Sequence, residues 1–259
     1  MVKPITGLFT KSFVPGFSVI IAPQSFLYMS ISKERCDLQR CYFCQSCLKE
    51  WSPAIAANRA NYKFKKGELL FIEGEEVKGV YFVYSGTVKV HKKWSEGKEL
   101  ILRFANNGAI VGHRGLGDDK YYPISATALE PTTVCFIPIE FFTSSLKVNH
   151  DFTLSLLNFF AAELRESEKR WRNMAHMSVK GRLAYALLSL KNKFGVSKEG
   201  NIDIILSRQD LASYVGATYE TVFRTLGELS NENIISLSGK HISILNEKTL
   251  VSLSTAEED

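Results

Sequence analysis

The spacing of hydrophobic positions changes along this chain, from alternation in its first half to helical repeats in its second half. Between Asn61 and about Phe142, runs such as Val80–Tyr84 and Thr87–His91 alternate apolar and polar residues, which predicts β-strands. Glycine-containing turn signals separate these runs, at Lys66-Gly67, Glu73-Gly74, Ser85-Gly86, Glu96-Gly97 and Asn107-Gly108. Short strands spaced in this way are typical of a β-barrel or a jelly-roll sandwich.

A single long helix is predicted from about Asn149 to Met174, where the chain has neither proline nor glycine. Its apolar positions recur at helical spacing, at Phe152, Leu156, Phe159, Phe160, Leu164 and Trp171. Asn149 is placed to cap it. The second half is rich in charge and suits a partner helix of mixed charge. The alternative is a solvated surface helix that packs only on its own β-domain.

Two short helices joined by a tight turn are predicted between Ser207 and Leu229. Ser207 and Asp210 resemble a capping box, and Gly216 supplies the left-handed turn conformation. Thr218 can cap the second helix, and the residues expected to face inward are Leu211, Ala212, Val215, Val222, Leu226 and Leu229. A predicted hairpin follows, with the turn Ser238-Gly-Lys240, so the pattern indicates a winged helix-turn-helix.

The second helix of such a motif is the one that enters the DNA major groove. Glu220 and Arg224 lie four residues apart on one face of it. Arginine can contact guanine O6 and N7, and glutamate can accept from the amino group of cytosine. The alternative is an exposed ion pair worth about 0.2–0.5 kcal/mol. The predicted DNA-binding residues are Ser207, Arg208, Thr218, Tyr219, Glu220, Thr221, Arg224 and Lys240, with Lys180 and Arg182 as further phosphate contacts.

Composition limits the class of protein. The 259 residues are 45% hydrophobic and 23% charged, enough for two domains of ordinary size. No run reaches the roughly 18 apolar residues that a membrane span needs, and we expect a cytoplasmic protein. The net charge of +5 is only weakly basic, so the DNA prediction depends on the motif. The five histidines are scattered without catalytic spacing, and an enzyme is not expected.

We expect four segments. Residues 1–35 form a loosely ordered N-terminal extension, and a start at Met29 would account for residues 1 to 28. Residues 36–148 hold a cysteine-rich segment and a β-domain that acts as the sensor. Residues 149–177 form the dimerisation helix, and residues 178–259 form the DNA-binding winged helix.

Four of the five cysteines lie within twelve residues, from Cys36 to Cys47, and the fifth is Cys135. An odd number of cysteines at this low density is not typical of a secreted protein held together by disulfides. It favours a reducing compartment. Four thiolates are what an iron–sulfur cluster needs, and soft sulfur ligands suit zinc as well.

The β-domain, long helix and winged helix in this order resemble the cyclic-AMP receptor protein/FNR superfamily of bacterial transcription regulators, over about residues 36–249. The likeness rests on Gly67-Glu68, Tyr84–Val88, Gly108–Gly112, Ser207–Ala212 and Glu220–Arg224. The resemblance implies an α+β fold with a cyclic-nucleotide-binding-like β-barrel of jelly-roll type. It also implies a homodimer that binds a palindromic operator in double-stranded DNA and works with RNA polymerase. Glu220 and Arg224 would then read a TGA-containing half-site.

The sequence departs from the nucleotide-binding members of this superfamily at two places. Those members carry a glutamate after the second glycine of the β-domain signature and, further on, an arginine that neutralises the cyclic phosphate. This chain has His113 and Ile124 at the corresponding places, and Arg114 is in the wrong position to substitute. A buried phosphate would lack a charged partner, so we do not expect cyclic AMP to bind.

The FNR branch instead carries an N-terminal cysteine cluster and one internal cysteine, which together hold an oxygen-labile 4Fe-4S cluster. Residues 128–138 around Cys135 resemble the segment of that internal ligand. The resemblance implies ligation by Cys41, Cys44, Cys47 and Cys135, with Cys36 spare. Because the gap between Cys44 and Cys47 is narrower than in FNR, a local site of Cys36, Cys41, Cys44 and Cys47 stays open. Cys135 would then be a small buried hydrophobe.

We favour the first ligand set, because ligands from two segments tie the N-terminal segment to the β-domain only while the cluster is present. The expected function is a DNA-binding regulator in which an oxygen- or nitric-oxide-labile cluster promotes dimerisation and operator binding. The same fold could instead use a zinc or thiol-redox site, or a small-molecule effector in the β-domain. An iron–sulfur electron carrier would leave the winged helix without a purpose.

Overall fold

The N-terminal domain consists of two antiparallel sheets, in a computed structural model that describes residues 30–31, 41–95 and 98–255. Its strands are β1 Ser30–Ile31, β2 Ala60–Phe64, β3 Leu69–Phe71, β4 Gly79–Ser85, β5 Val88–Ser95, β6 Lys98–Ala105, β7 Ile110–Val111, β8 Ser125–Ala128 and β9 Thr132–Pro138. The sheet orders are β1-β2-β9-β4-β7 and β3-β8-β5-β6. Both contribute to one core, which confirms the predicted jelly roll. Cys36 and the predicted extension, apart from Ser30 and Ile31, lie outside the described residues.

Aromatic rings fill the interior between the sheets. The ring centroids of Phe71 and Tyr122 are 4.2 Å apart, and those of Phe71 and Tyr81 are 5.5 Å apart. The Tyr122 hydroxyl donates to the carbonyl oxygen of Gly79 at 2.7 Å. Ile124 is buried in the same core. An apolar interior of this kind favours close packing of the two sheets.

Four helices flank the sheets: α1 Tyr42–Ser46, α2 Ser52–Asn58, α3 Ile139–Val148 and α4 His150–His176. The 27 residues of α4 confirm the predicted long helix, and at the usual rise they span about 40 Å. Phe152 and Leu156 on α4 are buried against the β-domain. The expectation that the Asn149 side chain caps α4 is wrong. Its amide oxygen accepts instead from the backbone N–H of Leu48 at 2.8 Å, a contact across 101 residues.

The C-terminal domain is the predicted winged helix. Its elements are α5 Val179–Phe194, α6 Arg208–Val215, α7 Tyr219–Asn231, β10 Ile235–Ser238, β11 His241–Ile244 and α8 Glu247–Leu253. β10 and β11 form the wing hairpin. α8 lies beyond the predicted pattern and inserts the fully buried Leu250 into the core of the domain. Within the described residues, no helix combines the length and the apolar character needed to cross a bilayer.

The two domains are in direct contact. Ile101 and Phe104 of β6 belong to the same buried core as α6 and α7, and the Phe104 ring lies 4.9 Å from that of Tyr214 on α6. Lys89 Nζ on β5 is 2.9 Å from Asp210 Oδ1 on α6 and also pairs with Glu99. A shared apolar core and a half-buried ion pair therefore fix α6 against the sensor domain.

Candidate nucleic-acid interface and cysteine site

Local capping fixes the two helices of the helix-turn-helix. The Ser207 hydroxyl oxygen accepts from the backbone N–H of Asp210 at 2.9 Å and begins α6. Gly216, at φ +72°, ends α6 in the left-handed conformation. The Thr218 hydroxyl oxygen accepts from the N–H of Thr221 at 3.2 Å and begins α7. Ser207 and Thr218, predicted to contact DNA, therefore also act as helix caps.

One face of α7 is buried and the opposite face is open. Val222, Leu226 and Leu229 are buried, as predicted. Glu220 and Arg224 are exposed on the other side, and Arg224 Nε lies 3.7 Å from Glu228 Oε1 rather than pairing with Glu220. An exposed pair of this kind contributes only about 0.2–0.5 kcal/mol. The guanidinium is therefore available to a ligand in the groove.

The other cations predicted near DNA are placed differently. Lys240 is exposed at the tip of the wing, and Arg208 Nη2 donates to the Gly239 carbonyl oxygen at 2.8 Å, so it joins α6 to the wing. Lys180 Nζ pairs with Glu232 at 2.7 Å. Arg182 donates to backbone carbonyls, including that of Met177 at 3.0 Å. Arg182 thus has a structural role within the protein.

The structure brings Cys41, Cys44, Cys47 and Cys135 into one apolar cluster. Cys41 precedes α1, Cys44 lies in it and Cys47 ends it. Cys135 lies on β9, between Asn61 of β2 and Phe82 of β4. Cys41, Cys47 and Cys135 are buried in a cluster with Phe43, Ile55, Phe82, Ile137, Phe142 and Phe152, and Cys44 is half-buried at its border.

The electrostatics of this cluster disfavour uncompensated thiolates. Burial, and to a smaller extent the neighbouring Cys41 thiol, raises the pKa of the Cys47 thiol to about 12. Both thiols are therefore close enough to interact. Thiolate charge in such a place needs a cation, which the iron of a cluster or a zinc ion supplies.

Among the described residues, no group of three or more His, Cys, Asp or Glu side chains is arranged to hold a metal ion. A zinc ion needs four ligands on one atom, whereas a 4Fe-4S cluster spreads its four thiolates over four iron atoms. Both kinds of centre take thiolate ligands, the donor type that Cys41, Cys44, Cys47 and Cys135 can supply.

Contacts that the sequence pattern did not reveal join the cysteine segment to α3 and α4. The Tyr42 and Ser155 hydroxyl oxygens are 3.0 Å apart, and the Tyr42 ring contacts Phe152 edge-on at 6.2 Å. Trp51 Nε1 donates to Ser145 Oγ at 3.0 Å. Together with the bond from Leu48 to the Asn149 side chain, these contacts place the segment against the start of the long helix.

A charge cluster joins the β-domain to the middle of α4. Arg114 Nη2 donates to Glu163 Oε2 at 2.8 Å, and Arg103 Nε is 3.5 Å from Glu163 Oε1. Burial opposes ionisation of Glu163, but His113, Arg103 and Arg114 together hold its pKa well below the usual range. Burial lowers the pKa of His113 to about 4, so its imidazole is neutral at pH 7. His113 and Arg114 thus contact the chain's own helix.

Comparison with known proteins gives matches over both domains. A cyclic nucleotide-binding domain model matches residues 62–149, and a Crp-like helix-turn-helix domain model matches residues 181–253. The anaerobic regulatory protein of Bacillus subtilis is 33% identical over 202 residues, 76% of this chain and 84% of that protein. The cAMP-activated global transcriptional regulator CRP of Salmonella typhimurium is 32% identical over 188 residues, 71% of this chain and 88% of that protein. The structure of FixK2 from Bradyrhizobium japonicum superposes with a TM-score of 0.69 at 26% identity, over 76% of this chain and 98% of that one.

A jelly-roll domain, a long helix and a winged helix with an open second helix define a DNA-binding transcription regulator. The identity to the Bacillus regulator over three quarters of the sequence shows that the chain belongs to the CRP/FNR family. Members of this family are homodimeric DNA-binding regulators and not enzymes, in agreement with the sequence-based prediction. The relatives include both an anaerobic and a cAMP-activated regulator, so members of the family respond to different signals.

Proposed function

We propose that this chain forms a homodimer whose binding to a palindromic operator is controlled by a 4Fe-4S cluster on Cys41, Cys44, Cys47 and Cys135. The observation that supports it is the apolar cluster in which these cysteines meet, although Cys135 lies 88 residues beyond Cys47 in the chain. A bound cluster would supply iron that stabilises the thiolates of the buried Cys41, Cys47 and Cys135 and of the half-buried Cys44. Its removal by oxygen or nitric oxide would be the signal.

The chain's own residues would carry the signal to α4. With iron bound, the four cysteines would be deprotonated and would hold α1 against β9. Without iron, the high pKa of Cys47 would keep that thiol protonated, and α1 would lose this attachment. Because α1 contacts α4 through Tyr42, Ser155 and Phe152, a change at the cysteines alters how α4 is supported.

The dimer interface is proposed on the open face of α4. Leu154, Leu157, Leu164 and Trp171 are 58%, 63%, 61% and 72% exposed. With Ala161, Glu168 and Ala175 they repeat at alternating spacings of three and four residues, the pattern of a coiled-coil seam. Packing two such helices side by side would bury this face and bring the two winged helices together.

The pairing of two winged helices would match a palindromic operator, with its half-sites about one DNA turn apart. Glu220 and Arg224 are proposed to read base edges, and Lys240 and the helix N-termini to contact phosphates. The regulator would act with RNA polymerase in the cytoplasm, where the chromosomal DNA lies. The filled interior of the β-domain supports an effector other than cyclic AMP.

An Arg224→Ala variant is expected to lose discrimination at one base pair of each half-site, by about 1–3 kcal/mol, because a bidentate contact to guanine is removed. A palindromic duplex enriched by the wild-type protein from a random library provides the probe. Binding of every single-base variant of that duplex is then compared at fixed salt.

Lys240→Ala is the matched control, since it removes one exposed positive charge from the wing. This substitution is expected to weaken binding to all duplexes by a similar factor and to reduce the salt dependence of binding. Unchanged base discrimination in Arg224→Ala would contradict the proposed reading mode.

A further inference from the structure

The open face of the second helix carries aromatic residues beside Glu220 and Arg224. Phe223 is 59% exposed and Tyr219 is 43% exposed. Their rings stack, with centroids 6.0 Å apart and an interplanar angle of 13°. An exposed phenylalanine makes apolar surface available to a ligand. The stacked Tyr219 restricts the orientations open to the Phe223 ring.

A glycine on the same face is a second, independent observation. Gly227 lies one turn beyond Phe223 in the interior of α7, where glycine costs about 1 kcal/mol of helix stability relative to alanine. A Cβ atom added there would meet no atom within 4 Å, so packing inside this protein does not require the glycine. Because Gly227 has no side chain, the helix surface between Phe223 and Arg224 allows the close approach of another molecule.

Helical geometry places these residues together. At about 100° per residue, Phe223 lies about 60° from Glu220 around the helix axis, and Gly227 lies between Glu220 and Phe223. The buried residues Val222 and Leu229 are on the opposite side. Phe223 therefore projects from the same exposed face of α7 as Glu220 and Arg224.

The major groove offers one apolar feature that a phenyl ring can recognise, the C5-methyl group of thymine. Phenylalanine has no hydrogen-bonding group and cannot distinguish bases by their donors and acceptors. We propose that Phe223 reads a thymine methyl group next to the base pairs contacted by Glu220 and Arg224, and that Tyr219 positions its ring. This inference rests on the proposed operator binding.

Replacement of thymine by deoxyuridine tests it, because that change removes only the methyl group. The probe is the palindromic duplex enriched by the wild-type protein, with each thymine replaced in turn by deoxyuridine in both half-sites. For the wild type, one symmetric replacement is expected to weaken binding about fourfold per half-site, the effect of burying one methyl group. Phe223→Ala should bind the thymine and deoxyuridine duplexes equally. Val251→Ala, which changes an exposed apolar residue on α8, should keep the wild-type discrimination.

The outcomes are distinct. If replacing thymine by deoxyuridine changes binding by the same factor in the wild type and in Phe223→Ala, the inference is overturned. This holds even if base discrimination still depends on Arg224. A wild-type protein that enriches no sequence at all would overturn the proposed operator binding and this inference with it. Tyr219→Phe, which keeps the stacked ring, should retain the response to the methyl group.

Discussion

Cys135→Ser, purified without air, is expected to lose its iron and to bind the operator about 5- to 150-fold more weakly than the wild type, the usual range of coupling between two sites. The serine hydroxyl does not replace a thiolate as an iron ligand. Since Cys135 is the proposed ligand from the β-domain, its loss would remove the proposed attachment between α1 and β9. Iron content, the visible spectrum and DNA affinity on one anaerobic sample measure the effect.

Cys36→Ser is the matched control, because Cys36 is the spare cysteine in the proposed ligand set. It should retain iron and full affinity. The reverse result, with iron kept in Cys135→Ser and lost in Cys36→Ser, would show that the four N-terminal cysteines form a local site. A colourless wild type containing zinc would favour a zinc or thiol-redox regulator. Thermal unfolding of Cys135→Ser should match that of iron-free wild type, so that a folding defect is recognised.

Leu164→Glu is expected to dissociate the dimer and to abolish tight binding to the full palindrome. If burial of each leucine contributes about 1.5–3 kcal/mol, loss of two from one interface costs about 3–6 kcal/mol, and two glutamates would also repel each other. Sedimentation should then show a monomer at concentrations where the wild type is dimeric. Affinity for a single half-site should change little, since Leu164 lies far along the chain from α7.

Ala162→Glu introduces the same charge two residues away, at an exposed position outside the proposed seam. It should stay dimeric and bind the palindrome normally. A dimeric Leu164→Glu with wild-type affinity would mean that the open face of α4 is not the subunit interface.

Local physical rules explain which parts of the fold the sequence predicts well. The winged helix follows from caps and buried positions close together in the chain, and the Ser207 and Thr218 caps form as expected. The jelly roll follows from alternation and glycine turns. The long helix is also local, since nothing between Asn149 and Met174 interrupts it.

Contacts between distant residues were not predictable in the same way. Asparagine often caps helices, but the Asn149 side chain instead accepts a hydrogen bond from the backbone N–H of Leu48, 101 residues earlier. The contact of Lys89 with Asp210 spans 121 residues and depends on how the two domains dock. No sequence pattern around Tyr42 or Trp51 predicts that these residues contact α3 and α4. Their contacts form only in the folded protein.

The same limit applies to the cysteines. Spacing along the chain places Cys41, Cys44 and Cys47 together, whereas Cys135 joins them because β9 lies between β2 and β4 in the sheet. The likeness to the FNR branch suggested this grouping, and the apolar cluster supports it. Which four thiols bind iron is a prediction that the two cysteine variants decide.

The central claim is that a gas-labile cluster on these cysteines governs operator binding. Its most direct test measures iron, acid-labile sulfide and operator affinity in one wild-type sample isolated without air, before and after exposure to oxygen. We predict about four iron and four sulfide per chain, together with tight operator binding, before exposure. After exposure to oxygen, the iron, the sulfide and the tight binding should all be lost. Air-free protein that lacks iron and sulfide yet binds its operator at full affinity would contradict it.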